Sequence, residues 1–182
     1  ALSQQGIQAA APQIVAAAQA AGAQVIFTTA GANADLPILA TALPEAGLPV
    51  ETTRLVGLTR WDVAPQLLAL PGLENGLFAI PDAGLTAQFE NRYRAAYGGA
   101  TPLPQAALAY DGIAAIGALA AQGRTEFDRG ALTQGQGFQG TAGIFRLLPD
   151  GTNQRGLAVA TVRNNQVVIL DPAPRSFAGA GF

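Results

Sequence analysis

Apolar and polar positions alternate in blocks along the first 80 residues. Residues 4–21 are rich in Ala and Gln with a helical spacing, and Gly22 marks a stop. Residues 24–29 form a short apolar run (Gln24, Val25, Ile26, Phe27, Thr28, Thr29), the kind that fits a strand buried in a parallel sheet. Asn33 is expected to cap a second helix with Pro37 in its first turn, ending near Ala46 before Gly47. Residues 53–58 read as the next strand. Asp62 is expected to cap a short helix to Leu70, closed by Pro71 and Gly72, and residues 76–80 read as a third strand, closed by Pro81. Helix and strand thus alternate three times. The pattern predicts an α/β fold with a mostly parallel sheet and right-handed crossovers, in which the strands after Gly22, Thr52 and Asn75 lie side by side.

Beyond Pro81 the alternation stops. Residues 85–97 are amphipathic, with Phe89, Tyr93 and Tyr97 on one face. Residues 104–122 predict a long helix with Leu108, Ile113, Ile116 and Leu119 as its apolar set, and Thr125 is expected to cap a third helix to about Gly135. Three helices without an intervening strand indicate a different layer or a second lobe. From Phe138 the pattern turns to β: a strand over 143–148, a turn at Pro149-Asp150-Gly151, and a strand over 156–162. A tight hairpin at Asn164-Asn165 and a returning strand over 166–170 follow. The Gly- and Ala-rich residues 171–182 are expected to form a flexible tail.

Composition then removes much chemistry. The 182 residues include no His, Cys, Lys or Met, and all 10 basic residues are Arg against 12 acidic ones. Zinc sites of the usual kind, Cys–His and Ser–His nucleophiles, Schiff bases and P-loop lysines are therefore excluded within this chain. The only serines, Ser3 and Ser176, lie near the ends. A net charge of −2 with scattered Arg makes a poor nucleic-acid surface. No apolar run reaches the length of a membrane span. The glycines at 135, 137 and 140 precede a strand, not a helix, so they make no dinucleotide fingerprint. No cofactor or metal is expected, and the function points to binding, not catalysis. Charged residues are only 12% of the chain. Ala-rich codon usage accounts for that, or part of the surface is covered by something outside the chain.

Ligands of open α/β sheets bind beyond the carboxyl ends of the strands. Three stretches fall there: Thr28, Thr29 and Gly31 after the first strand, Thr59, Arg60 and Trp61 after the second, and Asp82 after the third. Hydroxyls and free backbone N–H groups suit a carboxylate, and Trp61 beside Arg60 offers a stacking face and a cation. Tyr110 and Asp111, in the middle of the long helix, complete the candidates. Ordinary capping and packing is the competing explanation for each.

Several short runs resemble the type I periplasmic binding proteins, the family of the Leu/Ile/Val receptors. They are residues 21–27 (AGAQVIF), 56–61 (VGLTRW), 89–98 (FENRYRAAYG), 109–112 (AYDG), 138–143 (FQGTAG) and 149–151 (PDG). They keep the family's order along nearly the whole chain. Within the family the chain is most similar to the branch of bacterial penicillin-binding-protein activators.

The resemblance implies two α/β lobes with a cleft between them. Residues 1–80 and 138–170 would form the second, C-terminal lobe, and 82–136 a helical return segment of the first, most of which is absent. The lobe would be a three-layer α/β/α unit with a C-terminal β-hairpin. The chain is then expected to be the C-terminal half of a longer polypeptide. The resemblance further implies a non-catalytic protein of the periplasm, lipid-anchored through a segment upstream of residue 1. It would act by contact on a cell-wall synthase, with or without a small polar ligand in the cleft. The alternative it implies is the solute receptor of an ABC transporter, with a permease as partner. The position where amino-acid receptors often carry an acidic residue falls near Thr59, which cannot pair a ligand's ammonium.

Overall fold

The computed structural model describes residues 4–177. In chain order the elements are α1 (Gln4–Ala20), β1 (Val25–Thr28), α2 (Asp35–Glu45), β2 (Arg54–Gly57), β3 (Leu77–Ile80), α3 (Ala83–Ala96), α4 (Pro104–Ala121), α5 (Arg129–Leu132), β4 (Phe138–Gln139), β5 (Ile144–Leu147), β6 (Asn153–Arg155), β7 (Ala158–Arg163) and β8 (Gln166–Asp171). The chain divides into two compact units. Unit 1 takes residues up to 80 with 159–171; unit 2 takes 81–158 with those from 172 onward.

Unit 1 is built on a five-stranded sheet in the order β1-β2-β3-β7-β8. β1, β2 and β3 run parallel and adjacent, in the arrangement the alternating pattern predicts. The α/β class and the C-terminal hairpin are likewise as expected. β7 and β8 pair antiparallel around Asn164 and Asn165, both with positive φ, as a two-residue turn requires. Ile7, Ala11, Val15 and Ala18, one helical stripe of α1, are buried where that helix packs on α2. α2 in turn buries Leu36, Leu39, Ala40 and Leu43. It starts at Asp35 after Ala34, without a side-chain cap, so Asn33 does not play the expected part. The helix expected over 62–70 is instead a pair of 3₁₀ turns, Pro65–Ala69 and Pro71–Leu73. Two prolines within seven residues lack the N–H groups that an α-helix would use there.

Unit 2 has α3, α4 and α5 with the three-stranded antiparallel sheet β4-β5-β6. Its core joins Ala115 and Leu119 of α4 to Ala131, Phe138 and Phe145. The third helix is one turn, capped by Asp128, whose carboxylate accepts from the Ala131 N–H at 2.7 Å, and not by Thr125. The strand read over 156–162 is β7, which joins the larger sheet, while β6 (Asn153–Arg155), which the sequence pattern does not show, pairs with β5. Residues 138–158 group with unit 2, whereas the resemblance implies one lobe of 1–80 with 138–170.

α4 departs most from its predicted face. Its buried residues are Asp111, Ala115 and Leu119, while Leu108 and Ile113 are 60% and 72% exposed. Its single charged residue therefore points inward and its outward face is apolar. Of the expected tail, residues 178–182 lie outside the described residues. Ala173 and Phe177 are buried, and the Phe177 ring lies 4.5 Å from the Arg146 guanidinium. This stretch packs because two apolar side chains and a cation–π contact hold it.

Candidate functional site

The carboxyl ends of β1 and β2 place Thr28, Thr29, Gly31 and Thr59 together in unit 1. The Thr28 hydroxyl accepts from the Ala30 N–H at 3.0 Å, which folds the chain back after the strand. The Thr59 hydroxyl donates to the Ala30 carbonyl at 3.1 Å and ties the second loop to the first. The Gly31 carbonyl accepts from Leu36 N–H at 3.0 Å, at the first turn of α2. Thr28 is buried and Thr29 exposed, so Thr29 alone of the pair presents its side chain fully to solvent. Beside them lies a cavity of about 560 Å³, lined by Ile7 and Ile14 of α1, Ile26 to Ala30, and Asp35 and Leu39 of α2. Its size suits a small molecule. Its walls are mainly apolar, with Thr28, Thr29 and Asp35 as the polar side chains. Asp35 was not among the sequence candidates, because an acidic residue in the first turn of a helix reads as a dipole partner.

The rest of the second loop is spent internally. Trp61 is fully buried and stacks on Phe78 with ring centroids 4.9 Å apart. It offers no stacking face to a ligand, which corrects the expectation drawn from its neighbourhood with Arg60. Gly57 and Gly76 make the room for it: a Cβ at either would stand 2.7 Å from the indole. Its Nε1 has no hydrogen-bond partner among the described residues. Arg60 pairs with Asp62 through two N–H donors. That hydrogen bond holds the guanidinium above its already high ordinary pKa, against the desolvation that burial imposes. Asp62 is therefore occupied by Arg60 and does not cap a helix.

The other three candidates belong to unit 2. Asp82 caps α3, accepting from Leu85 N–H at 2.9 Å, while its own N–H donates to the Ala142 carbonyl at 2.8 Å. Tyr110 is partly exposed; its hydroxyl accepts from Arg92 at 3.1 Å and its ring sits 5.2 Å from Phe89. Tyr110, Phe89, Tyr93 and Tyr97 line a groove of about 500 Å³ between α3 and α4. Asp111 is 2% exposed and accepts from Thr141 N–H at 2.7 Å and Arg155 Nη1 at 3.0 Å. Its closeness explains Gly140, where a Cβ would stand 2.8 Å from Oδ2. Both carboxylate oxygens are engaged within the protein, so Asp111 builds the unit and presents nothing to a ligand. Its partners Thr141 and Arg155 were missed in the sequence, where 30 and 44 residues separate them from Asp111 and no spacing rule connects them.

Among the described residues there is no group of three or more acidic side chains able to hold a metal ion, and no helix is long and apolar enough to cross a membrane. The site is a polar loop cluster beside a mainly apolar cavity, on a parallel sheet. The class it defines is α/β, with a loop cluster at the carboxyl ends of a parallel sheet.

Comparison with known proteins gives the class its family. Residues 7–166 match the periplasmic binding protein family, and the chain belongs to it. Among solved structures it is similar to a putative branched-chain amino acid ABC transporter protein from Rhodospirillum rubrum. There the TM-score is 0.66 and the identity 20%, covering 87% of this chain and 47% of that one. It is also similar to a branched-chain amino acid ABC transporter periplasmic ligand-binding protein from Burkholderia xenovorans, with TM-score 0.59 and 19% identity over 89% and 47% of the two chains. A third is the C-domain of LpoA from Haemophilus influenzae, described as a regulator of PBP1A, with TM-score 0.51 and 14% identity over 88% and 49%. These likenesses show the fold. The chain spans about half the length of each of these three structures. No curated protein matches the sequence. The similar structures are binding proteins and a regulator, none of them described as an enzyme.

Proposed function

We propose that this chain is the C-terminal half of a two-lobed, non-catalytic periplasmic regulator of the penicillin-binding-protein activator kind. It would stimulate a cell-wall synthase by contact. The observation that carries this reading is how few of the candidate ligand groups remain available. Trp61 is enclosed, Arg60 and Asp62 satisfy each other, Thr28 and Thr59 bond to the Ala30 backbone, and Asp111 is held by Thr141 and Arg155. A cleft that grips a small polar ligand needs several convergent free groups. A surface that acts by contact does not, and it shifts a partner between states through differential affinity. The exposed apolar face of α4 supports the two-lobed arrangement, because a helix without outward charge belongs in an interior. In this proposal unit 1 is the second lobe and α3 to α5 belong to the first. The parent polypeptide is periplasmic and carries its lipid anchor upstream.

The test is stimulation of purified cell-wall synthases by the full natural polypeptide, with pull-down as a second measurement. Stimulation and capture are expected; absence of both with every synthase of the source organism overturns the reading.

A second reading, the solute receptor of an ABC transporter, is favoured by one observation, the cavity where Thr28, Thr29 and Asp35 meet. Asp35 could pair a ligand's ammonium. A thermal-shift screen of amino acids, amides and peptides on the full polypeptide separates the two. A shift of several degrees with one ligand, lost in Asp35→Asn, supports the receptor.

A further inference from the structure

We propose that β8 is an association edge. Two copies of this protein join by pairing their β8 strands antiparallel about a two-fold axis, and the sheet of unit 1 runs on into that of the second copy. The proposal concerns assembly and is independent of what the protein binds or stimulates.

β8 is the last strand in the order β1-β2-β3-β7-β8, and β7 is its only partner among the described residues. β7 and β8 have six residues each, against four in β1, β2 and β3, so the edge is a long one. Asn164 and Asn165 at positive φ make a two-residue type I′ turn, which closes on the pair Arg163 and Gln166. Gln166 therefore directs its backbone groups to β7, and by alternation Val167 and Ile169 direct theirs away from the sheet.

Natural sheets blunt such an edge with Lys, Pro, an inward charge or a short strand. Residues 166–170 are Gln, Val, Val, Ile and Leu, with none of these devices. The one irregularity is the register shift opposite Val159 and Ala160, which takes in Leu170 and leaves 166–169 in regular pairing. Apolar side chains stand open on both faces beside the edge. Ile169, 48% exposed, shares a row with Ala160; Val159, 38% exposed, belongs to the next row, on the opposite face. A helix or loop laid on the sheet covers one face only. An added strand continues both faces and satisfies the outward N–H and C=O groups.

Charge selects which strand that is. Arg163 stands beside Gln166 at the hairpin end of β8, and Asp171 closes the other end beside Val159, both on the same face and both exposed. Neither is in an ion pair among the described residues. In a two-fold antiparallel pair the hairpin end of one copy lies against the Asp171 end of the other. Arg163 and Asp171 then face each other twice, across Gln166, where a parallel pair would set like against like. The register in which Val167 exchanges both hydrogen bonds with Ile169 of the second copy, and the reverse, puts the axis at Val168. Moving the axis toward Asp171 brings in Pro172, which has no N–H to give. Each copy spends its one β8, so the pairing closes at two.

The experiment uses the full natural polypeptide. Sedimentation equilibrium over a concentration series should show a reversible dimer, and amide exchange at Val167 and Ile169 should slow as it forms. Val168→Cys, in a background without other cysteines, should cross-link to itself under mild oxidation; Val63→Cys, at another exposed apolar position, should not. Ile169→Lys should abolish the dimer and leave the monomer folded. Asp171→Arg and Arg163→Asp should each raise the dissociation constant by roughly 3- to 30-fold, two exposed ion pairs being lost by symmetry, and the double variant should restore it. These charge variants carry the test should Ile169→Lys fail to fold. A monomer at every concentration, a dimer that Val168→Cys does not cross-link, or no recovery in the double charge variant overturns the proposal. Protection of the Val167 and Ile169 amides in the monomer overturns it in favour of a segment of the same chain. Protection that appears only with an added synthase overturns it in favour of a strand from that partner. Failure to stimulate a synthase or bind a solute leaves these readouts unaffected, so the two proposals fail separately.

Discussion

Replacing Asp111 by Ala removes the charge around which the α4 side of unit 2 is organised. The wild-type carboxylate is 2% exposed and takes a hydrogen bond from the Thr141 backbone and an ion pair from Arg155, itself 27% exposed. Breaking a buried pair by deleting one partner costs about 3–5 kcal/mol when both ions are enclosed. Partial exposure of Arg155 moves the expectation to the lower end, about 3 kcal/mol, because the arginine left behind can turn to water. For a chain of this length that is a fall in Tm of roughly 6–12 °C. Asp111→Asn keeps an acceptor for Thr141 and loses only the charge, so about 1–2 kcal/mol is expected. Arg155→Ala strands a carboxylate in the interior. In the Asp111→Ala background the same substitution should cost less by about 1 kcal/mol or more, the coupling that contact predicts. The assay is denaturant unfolding of the four proteins of the cycle, with hydrogen exchange at the Thr141 amide as the local readout. A loss below about 1 kcal/mol for Asp111→Ala, or strict additivity with Arg155→Ala, refutes the reasoning.

Other expectations follow from single contacts. As the only tryptophan and fully buried, Trp61 should emit at short wavelength and resist acrylamide quenching; Trp61→Ala should cost about 3–5 kcal/mol by the cavity it leaves, read by denaturant unfolding. Gly76→Ala, whose Cβ would stand 2.7 Å from the indole ring, should cost about 1–3 kcal/mol in the same assay. Asp82→Ala removes the α3 cap and should cost about 1 kcal/mol, with faster exchange at the Leu85 amide. The Asp150 carboxylate accepts from the Thr152 hydroxyl and then its N–H, which lowers its pKa below the ordinary 3.8. The turn is thus favoured above that ordinary value and loses the benefit as pH falls through the lower folded one; NMR titration should show the Thr152 amide following this depressed transition.

The three strands of the first 80 residues were legible because each is a short run of mostly apolar residues near Gly or Pro, and a parallel sheet asks only for that signal. The hairpin was legible at Asn164 and Asn165, whose side chains tolerate the positive φ that such a turn needs. Boundaries set by caps were less so. Thr125 and Asp128 are both capable N-caps, and which one acts depends on where α5 packs through Ala131, a tertiary fact. The loop candidates were found where the sheet topology puts them, but their availability was not readable. Whether Trp61 turns outward or inward is decided by Gly57 and Gly76, 4 and 15 residues away, which supply the space.

Helix α4 shows why periodicity alone misassigned a face. Leu108, Ile113 and Ile116 outnumber the apolar side chains on the opposite stripe, so the hydrophobic pattern points them to the core of any compact domain. Within unit 2 the core is formed by Ala115 and Leu119, and the inward polar residue, Asp111, is compensated by two long-range partners. The pattern therefore reports two burials at once. One is satisfied by β4, β5 and α5. The other is a face with Ile113 at 72% exposure and no charge of its own. A sequence shaped only by the contacts seen in unit 2 would place Lys, Glu or Gln on such a face, since exposed apolar side chains gain nothing there and invite association. That α4 keeps Ile and Ala outward is the same physical statement that Val25 and Phe27, 49% and 60% exposed, make on β1. Both surfaces expose large apolar side chains, and on the sheet the exposed Arg54 stands beside Val25 as the one charged neighbour in its row.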